Sequence, residues 1–156
     1  MENPQNTLYR SDSRPTAKEK NAAQRAVHQL LDALAPERTI KRSEEGPARV
    51  ERHRTPSGCV LQARNAAVSV SWYADRREQT LGELHVNVWE GTVSRGGAAY
   101  RKPEHATVVK ELVLKPVGGD ASASLWCSED GIEFDIPALQ AHCMALLETQ
   151  IRNSII

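Results

Sequence analysis

The period of the apolar residues changes twice along this chain, and that change limits what it can fold into. Ala23, Ala26, Val27, Leu30, Leu31 and Leu34 recur at helical spacing, as do Leu139, Cys143, Leu146, Leu147 and Ile151. Between them the period is two. Leu84, Val86 and Val88 alternate with His85, Asn87 and Trp89, as a strand with one buried face requires. The order is therefore helix, a run of about five or six strands, helix.

Local signals place the ends of these elements. Thr16 and Glu19 have the spacing of a capping box, with Pro15 just before them, and Pro36 ends the first stripe. Pro137 suits the first turn of the closing helix, with Asp135 just upstream. Residues 37–49 read as a charged linker. Val50 to Thr55 reads as a strand of mostly charged residues, which suits a sheet edge. A turn at Thr55-Pro56-Ser57-Gly58 follows. Cys59 to Ala63 and Ala66 to Ala74 pair around Arg64-Asn65, a register that sets Leu61 opposite Val68 and Cys59 opposite Val70.

Thr107 to Lys115 alternates poorly, because Lys110 interrupts one side and Glu111 the other. A bulge, or cover on both faces, would account for that. Leu125 to Ile136 reads as a hairpin about Asp130-Gly131 in a type I′ turn. That register sets Cys127 opposite Phe134 and Trp126 opposite Asp135. Hairpin succession between two helices predicts an α+β fold, an antiparallel meander flanked by an N-terminal and a C-terminal helix. Residues 1–14 are polar and aperiodic and read as a disordered tail, leaving 15–156 as a single domain.

Composition narrows the function classes. Twenty basic residues balance twenty acidic ones, so no net charge steers the chain to nucleic acid or a membrane surface. The start of the chain has no apolar core of a secretory signal, and no apolar run reaches the roughly 20 residues of a membrane helix. Cys59, Cys127 and Cys143 form no CxxC pair and lie in apolar stretches. They read as reduced thiols in a cytoplasmic protein.

His28, His53, His85, His105 and His142 show no metal-ligand spacing, so no metal and no cofactor is expected. The chain holds no GxSxG elbow, no GxxxxGK[ST] phosphate loop and no GxGxxG fingerprint. The reading leans away from an enzyme, and no catalytic residue is assigned.

One sheet face carries the candidate site. Val68, Val70, Trp72, Leu84, Val86 and Val88 define an apolar face. Tyr73, His85, Asn87, Trp89 and Trp126 fall opposite, with Val60, Ser69 and Ser71. That mixture of aromatic bodies and hydrogen-bonding tips suits a protein-binding surface. The expectation is a small non-catalytic interaction module that engages a protein partner or forms a homodimer through this face or through a sheet edge.

The alternative is a domain for a polar or anionic small molecule. It would use the same face together with Arg95 and Arg101 of the 92–106 loop. Which reading applies turns on whether the two helices share one face of the sheet or sandwich it.

Overall fold

The computed structural model describes residues 14–34, 39–40, 48–77, 79–93, 106–117 and 125–153. The first helix, α1, spans Ala17–Ala33. Thr16 caps it: its hydroxyl accepts from Glu19 N at 3.1 Å, and Glu19 Oε1 accepts from Thr16 N at 2.8 Å, the reciprocal capping box. Two short strands, β1 (Thr39–Ile40) and β2 (Ala48–Arg49), pair antiparallel. The segment read as a linker thus contains a two-residue ladder of its own.

The main sheet has seven antiparallel strands in chain order. They are β3 (Glu51–Thr55), β4 (Gly58–Ala63), β5 (Ala66–Tyr73), β6 (Glu83–Gly91), β7 (Ala106–Pro116), β8 (Trp126–Ser128) and β9 (Glu133–Phe134). The second long helix, α2, spans Ile136–Asn153 and starts where Asp135 Oδ1 accepts from Ala138 N at 2.8 Å. The α+β meander between two helices is as expected. Its strand count is seven rather than five or six.

Both helices cover the same face. Val27, Leu30, Leu31 and Leu34 of α1 and Leu139, Cys143, Leu147 and Ile151 of α2 share one core with Leu61, Val68, Val70, Leu84, Val86 and Val88 of the sheet. The strand registers explain why. Leu61 lies opposite Val68, Cys59 opposite Val70, Val68 opposite Val88 and Val70 opposite Val86, so one face is apolar across three strands.

β3 is the edge strand, as its charge suggested, but its arginines are not spread into solvent. Arg52 Nη2 donates to Leu31 O at 2.9 Å, Arg54 Nε donates to Asp32 Oδ1 at 3.2 Å, and Arg54 Nη2 stands 3.2 Å from His28 Nδ1. These bonds tie the sheet edge to α1. Of the two explanations offered for β7, a bulge or cover on both faces, the bulge is present: Val88 pairs with Lys110 and Trp89 with Val108, leaving Val109 without a partner in β6.

The hairpin at Asp130-Gly131 departs from expectation by one residue. Trp126 lies opposite Phe134 and Cys127 opposite Glu133. The loop has three residues, not two. Gly131 N donates to Ser128 O at 3.0 Å, Ser128 N donates to Ile132 O at 2.9 Å, and Gly131 takes φ +87° as the third loop residue. This is a type I turn closed by a left-handed glycine, the usual three-residue solution. The slip brings Phe134 rather than Asp135 opposite Trp126, while the face of Trp126 is set by β7, where Leu114 of the helix-side core pairs with Ser128 and Pro116 pairs with Trp126. Trp126 is fully buried on the helix-covered side, its ring edge-on to Trp72 at 5.9 Å.

Candidate functional site

With both helices on one side, the other face of β5, β6 and β7 carries neither helix, and it divides into two halves. At one end Val60, Ala67, Trp89, Val93 and Ala106 form a second, smaller buried cluster. Trp89 is 6% exposed, and its indole N–H donates to Ser69 Oγ at 2.9 Å. Gln62 seals this end. Its amide nitrogen donates to Arg64 O at 2.8 Å, Ala66 O at 3.1 Å and Gly91 O at 3.2 Å, while its oxygen accepts from Val93 N at 2.9 Å. A buried amide with this many partners holds the chain's turn out of β6 against the β4–β5 turn.

The other half is open and polar. The registers Tyr73–Glu83, Ser71–His85 and Asn87–Glu111 bring these residues to one surface. Tyr73 is 49% exposed, and its ring meets that of His85 at a centroid distance of 4.7 Å and an interplanar angle of 65°. His85 Nε2 is 3.0 Å from Glu83 Oε1, and Nδ1 is 3.3 Å from Glu111 Oε2. A neutral imidazole can donate to one of these carboxylates at a time, whereas an imidazolium can donate to both. The result is a carboxylate–imidazole–carboxylate bridge across β6 and β7 with a phenol ring against it.

Of the residues expected at the site, Tyr73, His85 and Asn87 come together on the open half. Trp89 is on the same face but inside the sealed cluster. Trp126 is on the opposite face in the core, a correction that follows from the register of β8 on β7, which puts Trp126 on the same side as the buried Leu114. Arg95 and Arg101 lie outside the described residues. Glu83 and Glu111 belong to the site and were not among the expected residues. Period two placed Glu83 on the His85 face, so the signal was present. Glu111 was visible only as a break in the alternation of β7.

Asn87 is half-buried, and its Oδ1 is a buried acceptor without a hydrogen-bond partner among the described residues. Asp75, at the turn leaving β5, accepts from the amides of Arg77, Gln79 and Thr80 and from the Thr80 hydroxyl. Those donors, the Arg77 amide first, hold its carboxyl below the usual carboxylate range. Asp75 thereby fixes the β5–β6 loop beside Tyr73.

The two buried thiols do not contribute to this surface. Burial raises the Cys59 thiol, with Arg52 opposing, and pushes Cys143 up to about 12. Among the described residues no group of three or more His, Cys, Asp or Glu side chains is arranged to hold a metal ion, and no helix is long and apolar enough to cross a membrane. A shallow depression of about 300 Å³ lies elsewhere, along α2 between Pro137 and Glu148. Comparison with protein-family models, with curated proteins and with solved structures finds no match.

Proposed function

We propose that this chain is a non-catalytic interaction module that docks a partner protein, or a second copy of itself, on the open half of the second sheet face. The observation that carries the reading is Tyr73. Its ring is half exposed, is braced edge-on by His85, and stands on a strand whose neighbours are hydrogen-bonded on both sides. A rigid aromatic with a polar tip loses little entropy on contact, which is why tyrosine is enriched among the residues that dominate binding energy. Glu83 and Glu111 beside it favour a partner that brings hydrogen-bond donors or a cation to the phenol. The three free thiols fit a reducing compartment, so we place the module in the cytoplasm.

The test is native mass spectrometry of the chain purified gently from its own host. A second copy or a partner chain above 17.3 kDa, lost in Tyr73→Ala with unchanged circular dichroism, is the expected result. Added mass that survives Tyr73→Ala would move the contact elsewhere on the molecule.

A second reading, a polar small-molecule site, draws on the unpartnered Oδ1 of Asn87 on the same face. A ligand donor there would satisfy it. The reading predicts a thermal shift in a metabolite screen that Asn87→Ala abolishes. The anionic version of this ligand depends on Arg95 and Arg101, which lie outside the described residues.

A further inference from the structure

β7 is eleven residues long, yet β8 pairs only with its last three, Leu114, Lys115 and Pro116. From Ala106 to Val113 no described strand lies on that side. Among the described residues, the backbone donors and acceptors there have no strand partner on that side and form an edge within the sheet, in line with β8. Val108 and Val109, 37% and 48% exposed, stand on this stretch.

The registers with β6 settle which way the charges point. Lys110 and Leu112 lie opposite Val88 and Val86 and so share the helix-covered side. Glu111 lies opposite Asn87 and shares the second face.

We propose that this edge takes an extended segment of another protein by strand addition, and that the segment carries an acidic residue against Lys110 on the helix side and a basic residue against Glu111 on the other. Main-chain pairing supplies the affinity and these flanking charges the selectivity. Lys110 is exposed, and Glu111 keeps half its side chain exposed while bonded to His85, so each has room for a further partner. The unpaired Val109 and the lysine beside it make indiscriminate pairing costly.

A second copy fits this edge less well. Two antiparallel β7 strands related by a two-fold axis put the helices of both copies on the same side of the joined sheet. Lys110 then meets only helix-side residues of the other copy, and Glu111 only residues of the second face. No Lys110–Glu111 pair can form. A separate strand has no such restriction.

The edge shares Glu111 with the Tyr73 surface but does not include Tyr73, so Tyr73→Ala separates the two readings. The experiment is backbone amide exchange by NMR on the full chain. One probe is the peptide Thr-Val-Thr-Lys-Glu-Val-Thr-Val, which in an antiparallel register offers Glu to Lys110 and Lys to Glu111. The other is a control with Thr-Thr in place of Lys-Glu.

In the free monomer the outward amides between Thr107 and Val113 should exchange fast, and the first peptide should slow them. The control should bind about threefold more weakly, the scale of cross-strand charge pairs. Lys110→Glu should erase that difference without changing stability, and Tyr73→Ala should leave it intact. Slow exchange along the whole stretch in the free monomer, no protection by either peptide, or a dimer of twice 17.3 kDa that protects these amides would each overturn the proposal. Equal binding of the two peptides would overturn its charge pattern.

Discussion

Trp89 and Ser69 meet diagonally across β6 and β5, the indole N–H donating to the hydroxyl at 2.9 Å in a cluster shut off from solvent. Ser69 is opposite Asn87 and Trp89 opposite Ala67, so the bond spans the diagonal that a large aromatic can reach in an antiparallel pair. It lets an indole with a polar N–H occupy an apolar site without an unmet donor.

Removing either partner should therefore cost stability rather than binding alone. Ser69→Ala leaves a buried N–H unsatisfied and should destabilise by about 1–3 kcal/mol. Trp89→Ala empties the cluster and should cost about 3–5 kcal/mol. Urea unfolding checks both. The expected result is a lower midpoint with an unchanged m-value for Ser69→Ala, and a larger drop for Trp89→Ala. A Trp89→Ala variant of wild-type stability would mean that the cluster does not support the sheet.

Much of this arrangement was legible because local chemistry and apolar period agree. The capping box at Thr16 and the pairing of Leu61 with Val68 were readable from local residues, and Lys110 and Glu111 marked β7 as irregular without deciding between a bulge and cover on both faces. The site was harder. Asp130-Gly131 favours a two-residue turn, but glycine serves equally well as the third residue of a longer loop, and that choice decides whether Phe134 or Asp135 lies opposite Trp126. The face of Trp126 is set by its pairing with β7, which no local signal encodes. The number of helices facing one side of a sheet is a tertiary property that no periodicity encodes. Trp89 reads as an exposed aromatic until Val60, Ala67 and Val93 are seen to close over it.

Two glycines with positive φ should respond differently to the same substitution. Gly82 has φ +123°, and a Cβ there would stand 2.5 Å from Tyr73 O and 2.9 Å from the Trp72 ring. Both atoms are held by the sheet, so neither can give way cheaply. Gly82→Ala should destabilise by roughly 2–5 kcal/mol, combining backbone strain with overpacking. Gly131 has φ +87°, with nothing within 4 Å of the position a Cβ would take. Gly131→Ala should cost only about 1–2 kcal/mol for the left-handed backbone, and Gly131→Asn less. Thermal unfolding of the three variants tests the ordering. Equal losses for the two alanines would show that contact around Gly82 is not what requires glycine.

The buried thiols make a prediction about alkaline pH. Cys143 is held neutral by burial up to about 12, while the same thiol in the unfolded chain ionises near 9.0. Below pH 9 both states keep the proton, and the group contributes no pH dependence. Above it the unfolded state loses a proton that the folded state retains, so stability falls as pH rises, at about 1.4 kcal/mol per pH unit for one such thiol. Cys59, also raised by burial, steepens the fall. Replacing Cys143 by Ala should flatten the profile between pH 9 and 11, at the cost of a small cavity. The same burial governs labelling: iodoacetamide at pH 8 should modify half-buried Cys127 first, and Cys59 and Cys143 only at the rate of unfolding. Peptide mapping by mass spectrometry reads the order directly. Fast labelling of Cys143 in folded protein would show that α2 opens far more readily than its packing against the sheet implies.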